Sequence, residues 1–494
     1  MESQPELLHL VFFPFLARSH MIPMLETARL AVERGVKTTL VTTPANAHLI
    51  RPALHRTNSS LLPSHPPMQL QLIPFPSAEF GIPEGCENLT SLPLPLAAAF
   101  FNAIFALRAP LGALLRELSA HALVADALFP WATGLAAEMG IPRLIFQVTG
   151  LFPLCAAHDL DAHRPHEAVG GDDEEFTIPG FPDPVTLTRG QIPEVFRHNF
   201  MLALLRDAEL TSYGVIVNSF YALEPSYAEH YYKVAPRKVF LLGPVALAGS
   251  NPSPPPLESG DPCITWLDSK PDDSVLYLSF GTLCRFSNEQ LVELAEGLAS
   301  SGHNFVWVVA RPESSGGPGE EWLPEGYERN VAGRGLLVSG WAPQTAILNH
   351  RAVGGFVIHC GWNSVMEAVA AEVPMATWPL HSEQFVIEKL LCDVLHVAVP
   401  MWEGWKSIWD DQKEVVRAGT VAASVKRLMG GGDEVEAMRR RVRELGELGR
   451  AAVAESGSSH SDMGRLIDVL TEERSKANEM IDKKGVSYDC SGCN

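Results

Sequence analysis

The sequence predicts an α/β protein of two Rossmann-like, doubly wound domains facing each other across a cleft. Three observations predict it. Apolar runs of strand length alternate with helical segments; the alternation stops at a Pro-, Ser- and Gly-rich stretch and restarts beyond it; and 494 residues exceed what one core usually holds.

Residues 7–13 (LLHLVFF) form the short apolar run of a fully buried strand. Met21, Met24, Leu25, Ala28 and Leu30 then fall roughly on one helical face, Gly35 stops the helix, and VKTTLVTT (36–43) reads as the next strand. Such a strand–helix–strand unit requires a parallel sheet. ALVADAL (122–128), PRLIFQV (142–148) and YGVIVNSF (213–220) continue the pattern. Residues 244–262 (PVALAGSNPSPPPLESGDP) read as a linker. The alternation restarts with SVLYLSF (274–280), a helix at 288–302 and NFVWVV (304–309), and GLLVSGW, GGFVIHC and PMATWPL supply further strands. The chain thus divides into an N-terminal domain (1–243), the linker, a C-terminal domain (263–452), a helix (453–474) and a tail (475–494) expected to be disordered.

An apolar fraction of 46% with 19% charged residues describes a folded chain. A net charge of −20 argues against nucleic acid and anionic membranes as partners, although backbone N–H groups at a helix start can still hold an anionic nucleotide sugar. Eight scattered cysteines are too few for a disulfide scaffold, and the Cys490–Cys493 pair lacks two further zinc ligands, so no metal is expected. Residues 92–107 are apolar but interrupted by Pro93, Pro95 and Asn102, which favours a buried helix over a membrane span. The opening MESQPELLHLVFFPF has no basic start and no cleavage pattern, so a cytoplasmic protein is expected.

The chemistry concentrates at 341–384, WAPQTAILNHRAVGGFVIHCGWNSVMEAVAAEVPMATWPLHSEQ. FVIHCGWNSVMEAVA runs from a strand through a Gly turn into a helix. His359, Gly361, Trp362, Asn363 and Ser364 sit at that junction, where free N–H groups and the helix dipole favour an anion. Glu367 lies one turn on, where a carboxylate can reach ribose hydroxyls. Trp341 offers a flat face to a base, and Glu383–Gln384 offer acceptors and donors to sugar hydroxyls. Singly, Trp341 reads as packing, His359 as a satisfied core residue and Glu367 as a solvated helix face. Together, in this order and length, they are hard to assign to chance.

This segment resembles the plant secondary product glycosyltransferase box, the donor signature of plant family 1 UDP-glycosyltransferases, over its full span from Trp341 to Gln384. WAPQ, HCGWNS, Glu367, VPM, WP and EQ carry the match, and HMIPMLETARL, LFPWATGLAAEMGIPRL and SFGT extend it along the chain. The resemblance implies the GT-B fold. It also implies that Trp341 stacks on uracil, that Ala342 and Gln344 contact base and ribose, and that Glu367 holds the ribose. His359, Asn363, Ser364 and Thr282 would bind the diphosphate, Trp362 would line the same pocket, and Glu383 and Gln384 would bind the sugar. A terminal Gln is typical of glucose users. Ile358, Glu372, His381 and Ser382 depart from the family pattern without removing a ligand.

An alcohol is a poor nucleophile near neutral pH, so the transfer needs a base. His20 follows the first strand, in the loop at the C-terminal edge of the sheet, and Asp126 ends another strand. Position alone leaves open a capping Ser19–His20 pair and a turn aspartate. The resemblance assigns them as base and supporting acid in an inverting transfer that needs no metal or other cofactor. The implied substrates are UDP-glucose and a small hydrophobic acceptor (flavonoid, terpenoid or steroid-like), and a monomer is expected. The acceptor pocket is expected around Phe75–Gly85, Gly150–Leu154 and Ile192–Phe200. One alternative is a metal-dependent transferase using Asp159 and Asp161 in the loop-like HDLDAHRP; another is a non-catalytic nucleotide-sugar-binding protein. A dehydrogenase lacks its GxGxxG, and a serine hydrolase its GxSxG.

Overall fold

The computed structural model describes residues 7–485 apart from 198, 236, 249–260, 282–283, 285 and 310–322. The strands, in chain order, are β1 His9–Phe13, β2 Lys37–Thr42, β3 Gln69–Leu72, β4 Ala122–Asp126, β5 Arg143–Gln147, β6 Glu175–Thr177, β7 Thr186–Thr188, β8 Gly214–Val217, β9 Lys238–Leu241, β10 Val275–Ser279, β11 Asn304–Val309, β12 Gly335–Ser339, β13 Val353–Ile358, β14 Met375–Thr377 and β15 Ala398–Pro400. Seven form one sheet in the order β3-β2-β1-β4-β5-β8-β9, and six form a second in the order β12-β11-β10-β13-β14-β15. Every pairing in both sheets is parallel, with β1 in register Leu10↔Ala122 on β4 and β10 in register Tyr277↔Phe356 on β13. Among the described residues only the hairpin β6–β7 is antiparallel.

The strands run as continuous apolar stretches because helices cover both faces of each sheet. β1, β4, β5 and β10 are buried at every position. In each sheet the strand order reverses once near the middle, between β1 and β4 and between β10 and β13. At such a switch point the connections leave in opposite directions and open a crevice beyond the C-terminal strand ends. One apolar cluster joins the two domains, running from Ile145, Phe152 and Tyr227 to Tyr277, Ile358 and Trp362.

Three segments differ from expectation. The last helix spans Ser458–Gly485, so residues 475–485 continue a helix instead of forming a tail. It returns to the N-terminal domain, where Met463, Leu466 and Leu470, spaced on one helical face, join the cluster that holds Leu10, Phe12 and Phe240. The Asp462 carboxylate accepts from Leu241 N at 2.7 Å, which satisfies the open edge of β9. Residues 151–163, which contain Asp159 and Asp161, are a helix and not a loop. Asp159 bonds His230 at 2.8 Å and Asp161 pairs with Arg164 and Arg206, so both carboxylates of that motif are engaged by neighbouring side chains. Residues 97–117 are long and apolar enough on composition to cross a membrane. Here they form two helices, Ala97–Ala106 and Arg108–Glu117, with Phe100, Ile104, Leu111 and Leu115 in the core and Phe101 and Phe105 left open. Most of the expected linker and the Cys490–Cys493 pair lie outside the described residues.

Leu466, with Met463 and Leu470 of the same helix, is buried in a cluster built otherwise from the N-terminal domain. Leu466→Ala is expected to lower unfolding stability by about 2–5 kcal/mol, read as a lower urea midpoint.

Candidate active site

β1 is followed by the helix Arg18–Val32, and His20 occupies its first turn, one step beyond the loop where it was expected. Asp126 is the last residue of β4, the neighbour of β1 across the switch point. This topology brings two residues 106 positions apart together: His20 Nδ1 lies 2.8 Å from Asp126 Oδ2. A carboxylate only accepts, so Nδ1 carries the hydrogen and Nε2 is the ring nitrogen left to meet a substrate. The Asp126 side chain is 0% exposed, and its other oxygen accepts from Leu128 N at 3.0 Å, which locks the carboxylate. The Phe15 ring packs against the imidazole at 5.2 Å, and Phe101 stacks on Phe15 at 6.0 Å with its outer face 37% exposed. An aromatic wall therefore stands beside the histidine. Sequence reasoning treated the Phe101 helix only as a buried element; its two exposed phenylalanines were the available signal.

The C-terminal domain offers the opposite half. β13 ends at Ile358, Cys360 turns the chain with φ 64°, and Gly361 caps the helix Trp362–Ala370. The His359 ring fills the space beside Gly361 and Gly281, where added Cβ atoms would stand 2.3 and 2.7 Å from Nε2. Gly281 also has φ 74°, so a side chain there is excluded twice. Burial, aided by the neighbouring His381, pushes the His359 imidazole down to about 3. Burial likewise pushes His381 down to about 4, with Lys413 adding to the effect. Both rings are therefore neutral N–H donors at ordinary pH. Asn363 and Ser364 occupy the first helical turn, among the N–H groups that no carbonyl satisfies.

Gln344 ties the next shell together. Its Nε2 donates to Ser364 Oγ at 3.0 Å and to Glu367 Oε2 at 2.6 Å, while Tyr277 Oη donates to its Oε1 at 3.3 Å. Burial raises the Glu367 carboxyl against the pull of those hydrogen bonds. Trp341 holds its indole 66% exposed, with the Arg18 guanidinium 5.9 Å from the ring centre, and Ala342 is buried behind it. Burial raises the Glu383 carboxyl, with nearby His20 opposing part of that shift. Gln384 is more constrained than expected. Its Oε1 already accepts from Leu380 N at 2.9 Å and His381 N at 3.2 Å, so only its NH₂ is available to a ligand. Thr282 lies outside the described residues.

Trp362 corrects an expectation. Its indole is buried, its Nε1 donates to the Asn218 carbonyl at 2.8 Å, and its ring lies where a Cβ on Gly150 would be 2.4 Å away. The ring fastens the two domains and does not line an anion pocket. Asn363 adds a second fastening, donating to the Ser19 carbonyl beside His20. Asn218 was not singled out in the sequence, and Gly150 only as the start of an expected acceptor segment; neither residue type signals such a contact. Glu372 stands where the family has Gly, with φ 62° and an ion pair to Arg450. The left-handed backbone explains the usual Gly, and the arginine holds the exception. Among the expected acceptor segments, 150–154 is mainly the start of a helix, with Leu151 N and Phe152 N donating to buried Glu224 at 3.2 and 2.7 Å.

Two parallel-sheet domains, a histidine–carboxylate pair on one and a glycine-bordered helix start on the other, define a nucleotide-sugar glycosyltransferase of GT-B architecture. Residues 250–392 match the family model "UDP-glucoronosyl and UDP-glucosyl transferase". UDP-glucose flavonoid 3-O-glucosyltransferase 7 of Fragaria ananassa is 43% identical, with 94% of this chain and 96% of that protein aligned. Scopoletin glucosyltransferase of Nicotiana tabacum is 38% identical over 94% and 98%. Among solved structures, Glycyrrhiza uralensis UGT73P12 complexed with glycyrrhetinic acid 3-O-monoglucuronide superposes with TM-score 0.89 at 36% identity, covering 98% of this chain and 100% of that one. Phytolacca americana UGT2 with UDP-2fluoro-glucose and pterostilbene gives 0.74 at 28% identity over 94% and 100%. The chain belongs to the plant UDP-glycosyltransferase family and is an enzyme of that class.

Two outcomes test this geometry. Gly361→Ala forces His359 aside and should weaken UDP binding about tenfold by calorimetry. His359 and His381 sit below the ordinary imidazole value of 6.5 in the folded protein, so the unfolded chain binds more protons between about 4 and 6.5. Stability is therefore full above 6.5 and falls as the pH drops through that window. Urea midpoints followed against pH should show this slope, and His381→Asn should flatten it.

Proposed function

We propose that the protein transfers glucose from UDP-glucose to a hydroxyl of a small aromatic or polycyclic acceptor, with inversion and without a metal. The observation that carries this is the His20–Asp126 pair at the switch point, with Ser19 joined to Asn363 at the start of the opposing helix. The acceptor lies along the Phe15–Phe101 wall with its hydroxyl on His20 Nε2, which takes the proton as the oxygen attacks the anomeric carbon. Asp126 keeps the tautomer and balances the imidazolium that forms. UDP departs with its charge developing against the free N–H groups at the Trp362–Ala370 helix start, the neutral His359 ring, Asn363 and Ser364. Trp341 stacks on the uracil and Glu367, oriented by Gln344, holds the ribose. Glu383 and the NH₂ of Gln384 meet the sugar hydroxyls.

The relatives' names support this reading, since they are glucosyltransferases of a flavonoid, scopoletin and an anthocyanin. A binding protein without turnover would have no use for a histidine so fixed by a buried carboxylate.

A panel of flavonols, coumarins and triterpenoids with UDP-glucose, read by mass spectrometry, should yield singly glucosylated products with β-anomers by proton NMR. In that assay His20→Ala should lower kcat by roughly 10²–10⁴ while UDP affinity stays within error. EDTA should leave the rate unchanged. Normal turnover of His20→Ala overturns the base assignment, and loss of activity in EDTA that magnesium or manganese restores overturns the metal-free mechanism.

A further inference from the structure

Arg143 opens β5, beside Leu123 of β4, and is 2% exposed. A guanidinium is rarely buried so deeply without a carboxylate. Among the described residues Arg143 makes no ion pair within salt-bridge distance. Its Nη2 donates instead to the Asp126 carbonyl at 2.9 Å and lies 3.4 Å from the Phe129 carbonyl and 3.5 Å from that of Ala125. Nη1 donates to Thr133 Oγ1 at 2.8 Å, and that hydroxyl donates to Ala208 O at 3.1 Å. The side chain thus runs beneath the end of β4 and grips the turn that carries Asp126.

Charge accounting shows what this arrangement does. The Asp126 carboxylate is wholly buried and has two donors, His20 Nδ1 and Leu128 N. A buried carboxylate needs a compensating positive charge nearby. A protonated His20 would supply it, but then Nε2 has no lone pair for an acceptor hydroxyl. Arg143 can supply it from the other side of the turn: burial pushes its guanidinium down to about 9, which leaves it charged at neutral pH, and the fields of Asp126 and Glu209 oppose part of that shift.

We propose that Arg143 is a positioning residue for glycosyl transfer, whose buried charge lets Asp126 stay anionic beside a neutral His20. The inference rests on His20 being the base. Another charged group close to His20 is Glu383 of the opposing domain. Those facing Arg143 are Asp126, Glu209 and, around a cavity of about 490 Å³ behind the turn, Arg237 and Lys238. Among the described residues Arg143 is the one cation that hydrogen-bonds the Asp126 backbone.

The test is the pH profile of kcat/KM, with UDP-glucose and the acceptor turned over fastest by the wild type. In Arg143→Met the carboxylate's charge is left to His20, so the acid limb should move up by about one pH unit, with most of the rate recovered at pH 9. Arg143→Lys should hold the limb near its original place, and UDP affinity should be unchanged in both. Should Arg143→Met not fold, Arg143→Gln, which keeps an amide donor for the Asp126 carbonyl, carries the same expectation. An equal loss at every pH with the limb unmoved marks a structural role only and overturns the proposal. So does a limb that moves as far in Arg143→Lys. A dead His20→Ala beside an unmoved Arg143→Met limb defeats this inference alone, whereas an active His20→Ala defeats the base assignment with it.

Discussion

The architecture depends on one seam, where the helix start after β13 is fastened to the N-terminal domain beside the first turn after β1. Trp362 donates to the Asn218 carbonyl and packs on Gly150, and Asn363 donates to Ser19. Each contact alone is an ordinary hydrogen bond or ring contact. Their effect is positional. They set a cluster of unsatisfied N–H groups, suited to a departing diphosphate, against the helix that carries His20. A direct displacement would need the attacking oxygen, the anomeric carbon and the leaving oxygen nearly in line, and a seam made of residues next to His20 and the helix start suits that requirement.

Electrostatics divides the labour across the seam. The C-terminal half presents neutral donors: backbone N–H groups, amides and two imidazoles kept unprotonated by burial. Such donors stabilise charge that appears during the reaction without attracting a counterion beforehand. The N-terminal half presents a fully buried carboxylate with one imidazole facing the cleft. This arrangement is compatible with a chain of net charge −20, because neither half requires a positive surface.

Chain order conceals how the domains are completed. The helix Ser458–Gly485 follows the whole C-terminal domain yet buries Met463, Leu466 and Leu470 in the N-terminal core. Ser459 also donates to the Gly243 carbonyl at 2.6 Å, just where the chain leaves the first domain. The two domains are thus crossed twice by the chain at neighbouring points, and any relative motion bends both crossings together.

Much was legible in residue order. The strand–helix alternation and the strand–turn–helix junction within 341–384 were readable because each is local: periodicity and turn residues are properties of consecutive residues. His20 and Asp126 could be named but not joined, since only the adjacency of β1 and β4 brings side chains 106 residues apart to 2.8 Å. The same limit hid Trp362 as a domain fastener, the internal use of the Gln384 carbonyl, the Phe15–Phe101 wall, the return of the last helix and the reach of Arg143 under the Asp126 turn. Sequence by itself determined the two sheets and the chemistry of the groups at their edges. Tertiary structure alone decided which groups meet, because hydrogen bonds, ring contacts and buried charges depend on distances through space that the order of residues does not encode.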